Sequence, residues 1–200
     1  MDARRFAPST ARNSEPILAV MRTHFPQTGR VLEIASGAGE HAVCVAKALP
    51  GLTWQTSDPD QDSRASIAAW IAHENLQNVL APLAIDVREE DWGVAGPFDA
   101  IVAINMIHIA PWSATQGLMR GAGRLLAPAG VLFLYGPYKR AWAHTSPSNE
   151  AFDASLRARN PDWGVRDLER VVDEAKANGL ALREVVDMPA NNLSVIFTRA

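Results

Sequence analysis

The stretch "VLEIASGAGEHAV" (31–43) reads as a buried strand that runs into a glycine turn and then into a helix. Turns of this kind seat nucleotide-like ligands, because small residues let backbone lie against the ligand and the helix start presents free N–H groups. Two ligand classes fit the spacing. Gly37, Gly39 and Ala42 satisfy G-x-G-x-x-G/A, the pattern of dinucleotide binders and hence of hydride transfer. Glu33, four residues ahead of Gly37, gives instead an acid-x-x-x-G-x-G loop suited to S-adenosylmethionine and hence to methyl transfer.

The charges around the turn separate the two. A pyrophosphate gains from a helix dipole, but Glu40 and His41 at the helix start make a poor seat for a doubly charged anion. Glu33 adds another negative charge, which suits a ligand carrying an ammonium and a sulfonium. Asp58 follows Gly39 by 19 residues and closes the next strand, where a carboxylate accepts two ribose hydroxyls. Both cofactors use that contact, and a cap or turn aspartate before Pro59 looks the same. Asp86 ends "AIDV", the place where methyltransferases receive the adenine amino group, or else it is a turn carboxylate. Trp92 either covers the adenine or packs the core. The expected cofactor is S-adenosylmethionine.

The composition excludes several classes. With 200 residues, 48% hydrophobic and 20% charged, the chain has enough apolar material for one domain with a sizeable core. A net charge of −3 and a pI near 5.9 leave no basic footprint for nucleic acid or an anionic membrane. "MDARRFAPST" lacks the apolar run of a secretory signal, and no apolar run approaches the roughly 18 residues that span a bilayer. One cysteine, Cys44, excludes an internal disulfide and is expected as a buried thiol. The five histidines and the carboxylates show no ligand spacing, so no metal is expected. A cytoplasmic monomer or small homo-oligomer is expected, and the methyl-transfer reading adds a small-molecule substrate.

Short apolar runs alternate with helical periodicity, as in a mostly parallel sheet covered on both faces. The expected strands are 30–36, 53–58, 81–87, 98–105 and 131–136. Helices are expected at "EHAVCVAKALP", "DSRASIAAWIAHENL", "GLMRGAGRLLAPAG" and "RDLERVVDEAKANGL", the last with Leu168, Val171, Val172 and Ala175 on one face and Gly179 beyond its end. "LALREVVDM" (180–188) and "LSVIFTRA" (193–200) are separated only by "PANN", too short for a parallel crossover, so they pair antiparallel. Five parallel strands followed by an antiparallel hairpin form the class I methyltransferase (Rossmann-like) α/β layout. A nicotinamide enzyme of this length would need a different ending or a second domain. Two short patterns are accidental: "YGPYK" has Tyr-x-x-x-Lys spacing interrupted by Gly136 and Pro137, and "NPDW" lies far from the fourth strand, where an amino-methylating signature belongs.

The set "ARNSEPI", "VLEIASGAGEHAV", "WQTSD", "INMIHIAPW", "YGPY", "PSNEAFDASLRARNPDWGVRDLE" and "MPANNLS" resembles the methyltransferase-like 26 type, a mostly uncharacterised family of S-adenosylmethionine-dependent methyltransferase-like proteins. The resemblance runs from about Ala11 to Phe197. It implies the class I fold and cofactor binding, without supplying a substrate. Glu33, Gly37, Gly39, Asp58 and Asp86 agree with it, whereas Ala35 replaces the first glycine of the broader motif, as an alanine can where φ is negative.

The acceptor is expected beyond the strand ends, where three segments converge. In "NMIHIAPW", Asn105 stands beside the cofactor and His108 is the candidate general base, or a histidine that only packs. Residues 138–165 form a lid-like insertion, or a rigid one, with Trp142, His144, Trp163 and a short helix from about Glu150 to Arg159 capped by Ser148 or Asn149. Tyr138 and His144 are the alternative bases. The N-terminal cap segment (1–29) offers Arg12 to the methionine carboxylate, with Asn13 beside it, or else Arg12 is an ordinary surface arginine. Asn191 and Asn192 are explained by turn chemistry, which favours asparagine at positive φ, with a substrate contact as the alternative. The expected activity is methyl transfer within one domain (1–200); a non-catalytic cofactor-binding protein and an NAD(P)-dependent oxidoreductase are the alternatives.

Overall fold

The computed structural model describes residues 2–6 and 10–200. The spine of the fold is a twisted sheet in which β1 (Gly29–Ile34), β2 (Leu52–Ser57), β3 (Val79–Leu83), β4 (Phe98–Ile104) and β5 (Leu126–Arg140) run parallel. Two short strands, β6 (Ala143–His144) and β7 (Arg166–Asp167), pair with the far end of β5. β8 (Leu180–Met188) and β9 (Asn192–Arg199) form the antiparallel hairpin. β9 inserts between β5 and β8, giving the order β3-β2-β1-β4-β5-β9-β8. Strand order reverses between β1 and β4, and a crevice opens outside their carboxyl ends.

Helices cover both faces: α1 (Thr10–His24), α2 (Glu40–Ala48), α3 (Gln61–Glu74), α4 (Trp112–Leu125), α5 (Pro147–Arg159) and α6 (Leu168–Ala177). One face of the sheet, with Trp54, Phe133, Tyr135 and Ile196, buries Ile17, Leu18 and Met21 of α1 and Val45 of α2. The other face, with Leu32, Ile101, Leu132 and Phe197, buries Leu118 of α4 and Val171 and Ala175 of α6. Gly179 sits at φ 76 after α6, as its C-terminal position requires.

Several expectations are corrected. β3 lies at Val79–Leu83 rather than 81–87, so Asp86 stands in the turn after the strand. Pro82 is tolerated because β3 is an edge strand. β5 extends from Leu126 to Arg140, with an irregularity where Phe98 pairs with Leu126 and Ala100 already pairs with Val131. α1 was not foreseen; Pro16 within it reads as a breaker, but burial of Ile17, Leu18 and Met21 holds the helix together. α4 begins at Trp112, and its glycines are close-approach sites: a Cβ on Gly117 would collide with the Val87 carbonyl oxygen. Ser146 caps α5, its hydroxyl accepting from the Asn149 N–H, with Pro147 in the first turn. Cys44 is exposed on α2, not buried.

Candidate functional site

The glycine loop is built by the ends of β1 and β2 fastening to each other. The Ser36 N–H donates to the Ser57 carbonyl (2.8 Å), and the Ser57 hydroxyl donates to the Glu33 carbonyl (2.7 Å). The chain then turns through three left-handed residues, Ala35 (φ 54), Gly37 (φ 57) and Gly39 (φ 91). A Cβ on Gly39 would stand 2.9 Å from the Ile67 backbone, so α2 and α3 need glycine there. A Cβ on Gly37 would meet no protein atom within 4 Å; it would project into open space where a ligand can lie. Ala35 corrects the expectation of negative φ. A non-glycine residue in this region costs about 1–2 kcal/mol, so Ala35→Gly should raise thermal stability by about 0.5–1 kcal/mol once glycine's extra chain entropy is subtracted. Differential scanning calorimetry of the ligand-free variant measures this, and a lowered midpoint would refute the strain.

Three clefts open along the carboxyl ends of the strands. The first, about 360 Å³, is lined by the glycine loop, Glu33, His41 and Thr10. The second, about 300 Å³, holds Asp58, Asp86 and Trp163. The third, about 680 Å³, holds Arg12, Asn13, Asn191 and Asn192. Ala35 and Met106 line both the first and the second, Asn105 both the first and the third, and Ile109 all three. The clefts thus form one branched trough.

Glu33 is the chemical centre of the first cleft. Its carboxylate accepts the Trp54 indole N–H at 2.8 Å and has no cationic side chain paired with it among the described residues. Burial pushes its pKa up to about 7, against the Trp54 hydrogen bond. His41 is pulled down to about 4 by burial, so near neutral pH it brings no positive charge to the cleft. A buried carboxylate without a counter-ion can take a ligand cation and disfavours a pyrophosphate.

In the second cleft, Asp58 Oδ2 accepts the Gly37 N–H (2.9 Å) and Oδ1 accepts the Asp60 N–H (2.9 Å). Burial raises its pKa, partly offset by these two donors. Asp58 is therefore a clamp on the glycine loop as well as a polar group in the cleft. Asp86 receives the Arg88 guanidinium at 2.5 Å, which holds its pKa below the usual carboxylate range. Trp92 packs in the core against α4, where a Cβ on Gly121 would collide with its ring. Trp163 is the aromatic side chain lining this cleft. It is delivered by the "NPDW" turn, in which Asn160 Oδ1 accepts the Asp162 N–H (2.9 Å).

The three candidate bases line none of these clefts. Asn105, at φ 59, starts a 3-10 turn over Met106–His108 that carries the His108 ring inward. His108 is 0% exposed, its ring stands edge-on to Tyr138 at 5.0 Å, and its Nδ1 accepts the Arg166 backbone N–H at 3.3 Å. Burial pulls its pKa down to about 3, with the Arg166 charge adding to the effect. Tyr138 is equally buried, and burial raises its hydroxyl pKa. His144 Nε2 lies 3.4 Å from Asp153 Oδ2, within a group that also includes Lys139 and Arg157. The three expected bases thus stand apart from these clefts: His108 and Tyr138 are turned into packing, and His144 lies against Asp153.

Arg12 and Asn13 are placed away from the glycine loop, at the third cleft. The α5 segment closes the far side of that cleft. Its Asn149 amide donates to the Thr145 hydroxyl (3.0 Å) and to the Asn191 carbonyl (2.9 Å), which fixes α5 to the β8–β9 turn. Asn191 takes the left-handed conformation expected of a turn asparagine, at φ 58. Arg166 was missed in the sequence. Its guanidinium donates to the carbonyls of Ile107 (2.9 Å), Ala110 (2.5 Å) and Asp162 (3.0 Å), tying the turn that carries Ile109 to the turn that carries Trp163. Only its position just before the α6 cap Asp167 hinted at such a role.

Solved structures of other proteins share this arrangement. An O-methyltransferase family protein from Burkholderia thailandensis aligns with a TM-score of 0.82 at 17% identity, over 96% of this chain and 57% of that one. A putative O-methyltransferase from Nostoc punctiforme PCC 73102 aligns with a TM-score of 0.84 at 16% identity, over 98% and 58%. A methyltransferase of calicheamicin biosynthesis, solved with S-adenosylhomocysteine bound, aligns with a TM-score of 0.75 at 16% identity, over 94% and 54%. The parallel sheet, its terminal hairpin and the flanking helices are the class I methyltransferase fold, and the chain spans a little over half the length of these proteins. Residues 4–199 match the family described as protein of unknown function DUF938, and the chain belongs to that family.

Proposed function

We propose that the chain binds S-adenosylmethionine across the first and second clefts and transfers its methyl group to a small molecule held in the third. The observation that carries this reading is Glu33, a buried carboxylate without a cationic partner at the foot of the glycine loop. In this reading Glu33 faces the ammonium end of the cofactor and Asp58 accepts the ribose hydroxyls. Asp86 and Trp163 flank the adenine. Asn105, lining both the first and the third cleft, stands where the methyl group passes. The bound cofactor supplies an electrophilic methyl group. The chain's task is to hold an acceptor atom in line with it, a positioning effect that accounts for several kcal/mol of barrier. The resemblance to the methyltransferase-like 26 type supports the same reading.

Thermal-shift titration with S-adenosylmethionine, S-adenosylhomocysteine, NAD and NADP tests it. The first two should bind in the micromolar range, on the order of −8 kcal/mol. Stabilisation by NAD or NADP alone would overturn the proposal in favour of hydride transfer. Release of S-adenosylhomocysteine in the presence of a metabolite extract separates an enzyme from a protein that only binds the cofactor.

A further inference from the structure

The third cleft, proposed above to hold the acceptor, is lined by few charged groups. Among the described residues that line it, Arg12 is the only ionisable side chain; the other polar groups are carboxamides and one hydroxyl, Ser148. No carboxylate pairs with Arg12 among the described residues. Nor does a base line the cleft, since His108 and Tyr138 are fully buried elsewhere and His144 is engaged by Asp153. The apolar walls come from Ile109, Pro137 and Phe152. A volume of about 680 Å³ suits a small metabolite rather than a polymer segment.

An acceptor that must lose a proton, such as an alcohol or an alkylammonium, finds nothing in this cleft to take it. A cationic acceptor would also meet the Arg12 charge. An anion that is already nucleophilic needs no base and gains from that charge and from the amide donors of Asn13 and Asn105, which line the same cleft. We infer that the third cleft takes a small carboxylic acid as its carboxylate and that the product is its methyl ester. A lone pair on the carboxylate oxygen forms the new O–CH3 bond as the S–CH3 bond breaks, and that bond's electron pair stays on sulfur. The sulfonium becomes a neutral thioether, the carboxylate a neutral ester, and no proton is released. This inference rests on the proposed cofactor reading and adds the acceptor class.

Calorimetry on the protein saturated with S-adenosylhomocysteine tests it without turnover. The probes are a panel of aliphatic and aromatic carboxylic acids, each matched by its primary amide. The acids should bind at least about tenfold more tightly than their amides, since a charge-assisted contact to Arg12 exceeds about 1.4 kcal/mol. In Arg12→Gln that preference should vanish while affinity for S-adenosylhomocysteine holds. With methyl-labelled S-adenosylmethionine, the best-bound acid should acquire label that alkali releases as methanol. Equal binding of acids and amides, a preference that survives Arg12→Gln, or label stable to alkali on an alcohol, amine or thiol would overturn the assignment. Failure of S-adenosylhomocysteine to bind at all would instead sink the cofactor reading, so the two failures are distinguishable.

Discussion

Glu33→Gln should move two measurements in opposite directions: affinity for S-adenosylmethionine falls, and the ligand-free protein becomes more stable. The glutamine side chain keeps an oxygen for the Trp54 N–H but loses the charge proposed to face the cofactor's cationic end. Removing one member of a buried, hydrogen-bonded charge pair costs about 2–5 kcal/mol, so an affinity loss of roughly a hundredfold or more is expected by calorimetry. The stability effect follows from linkage. Burial raises the Glu33 pKa from 4.5 to about 7, so between those values the folded protein holds a proton that the unfolded chain has released. Stability from this group is therefore present below pH 4.5 and lost as pH rises towards 7, a change of about 3 kcal/mol. The glutamine variant should lack that slope and unfold at higher urea concentration at about pH 8, above both values. Cofactor uptake by the native protein at about pH 6 should release about one proton, seen as a buffer-dependent enthalpy. An unchanged affinity in a folded variant would remove Glu33 from the site.

Asp58→Ala should weaken the same ligand by about 1.5–3 kcal/mol, because the charge-assisted hydrogen bonds proposed to the ribose would be lost. The structure adds a second cost. Without the carboxylate, the Gly37 and Asp60 N–H groups lose their acceptors, and each part-buried hydrogen bond lost costs about 0.5–1.5 kcal/mol. Asp58→Asn separates the two effects, since the amide oxygen can still accept one N–H. It should recover much of the stability and little of the affinity. Affinity unchanged in both variants would leave Asp58 as a loop clamp alone.

The parts of the fold that follow from periodicity and turn length were legible in the sequence. The hairpin at 180–200 is an example, because four residues cannot make a crossover and Gly179 ends the preceding helix. The glycine loop was legible because its requirement is local: Gly39 has no room for a side chain. What failed depended on direction rather than on position. His108 was placed correctly after β4, but the left-handed Asn105 starts a turn of three residues that rotates the ring under β5. No spacing rule reports that rotation. Of the two roles open to Trp92, it takes the core one because Gly121, well beyond it in the chain, makes the hole that accepts its ring, and Trp163 is the aromatic side chain that lines the second cleft. α1 was hidden by Pro16, whose local penalty is outweighed by the burial of its neighbours in the core.

Ile109 lines all three clefts and is 40% exposed in the ligand-free protein. A cofactor seated in the first two clefts would cover one side of this side chain and fix the wall that the third cleft shares. Part of the cost of ordering that wall would then already be met when the acceptor arrives. The expected kinetic pattern is ordered, with the cofactor first and the acceptor second. Thermodynamics makes the coupling reciprocal: whatever factor the cofactor adds to acceptor affinity, the acceptor adds to cofactor affinity. Covering Ile109 also removes apolar surface from water, so the heat capacity of the second binding step should be more negative in the native protein than in Ile109→Ala.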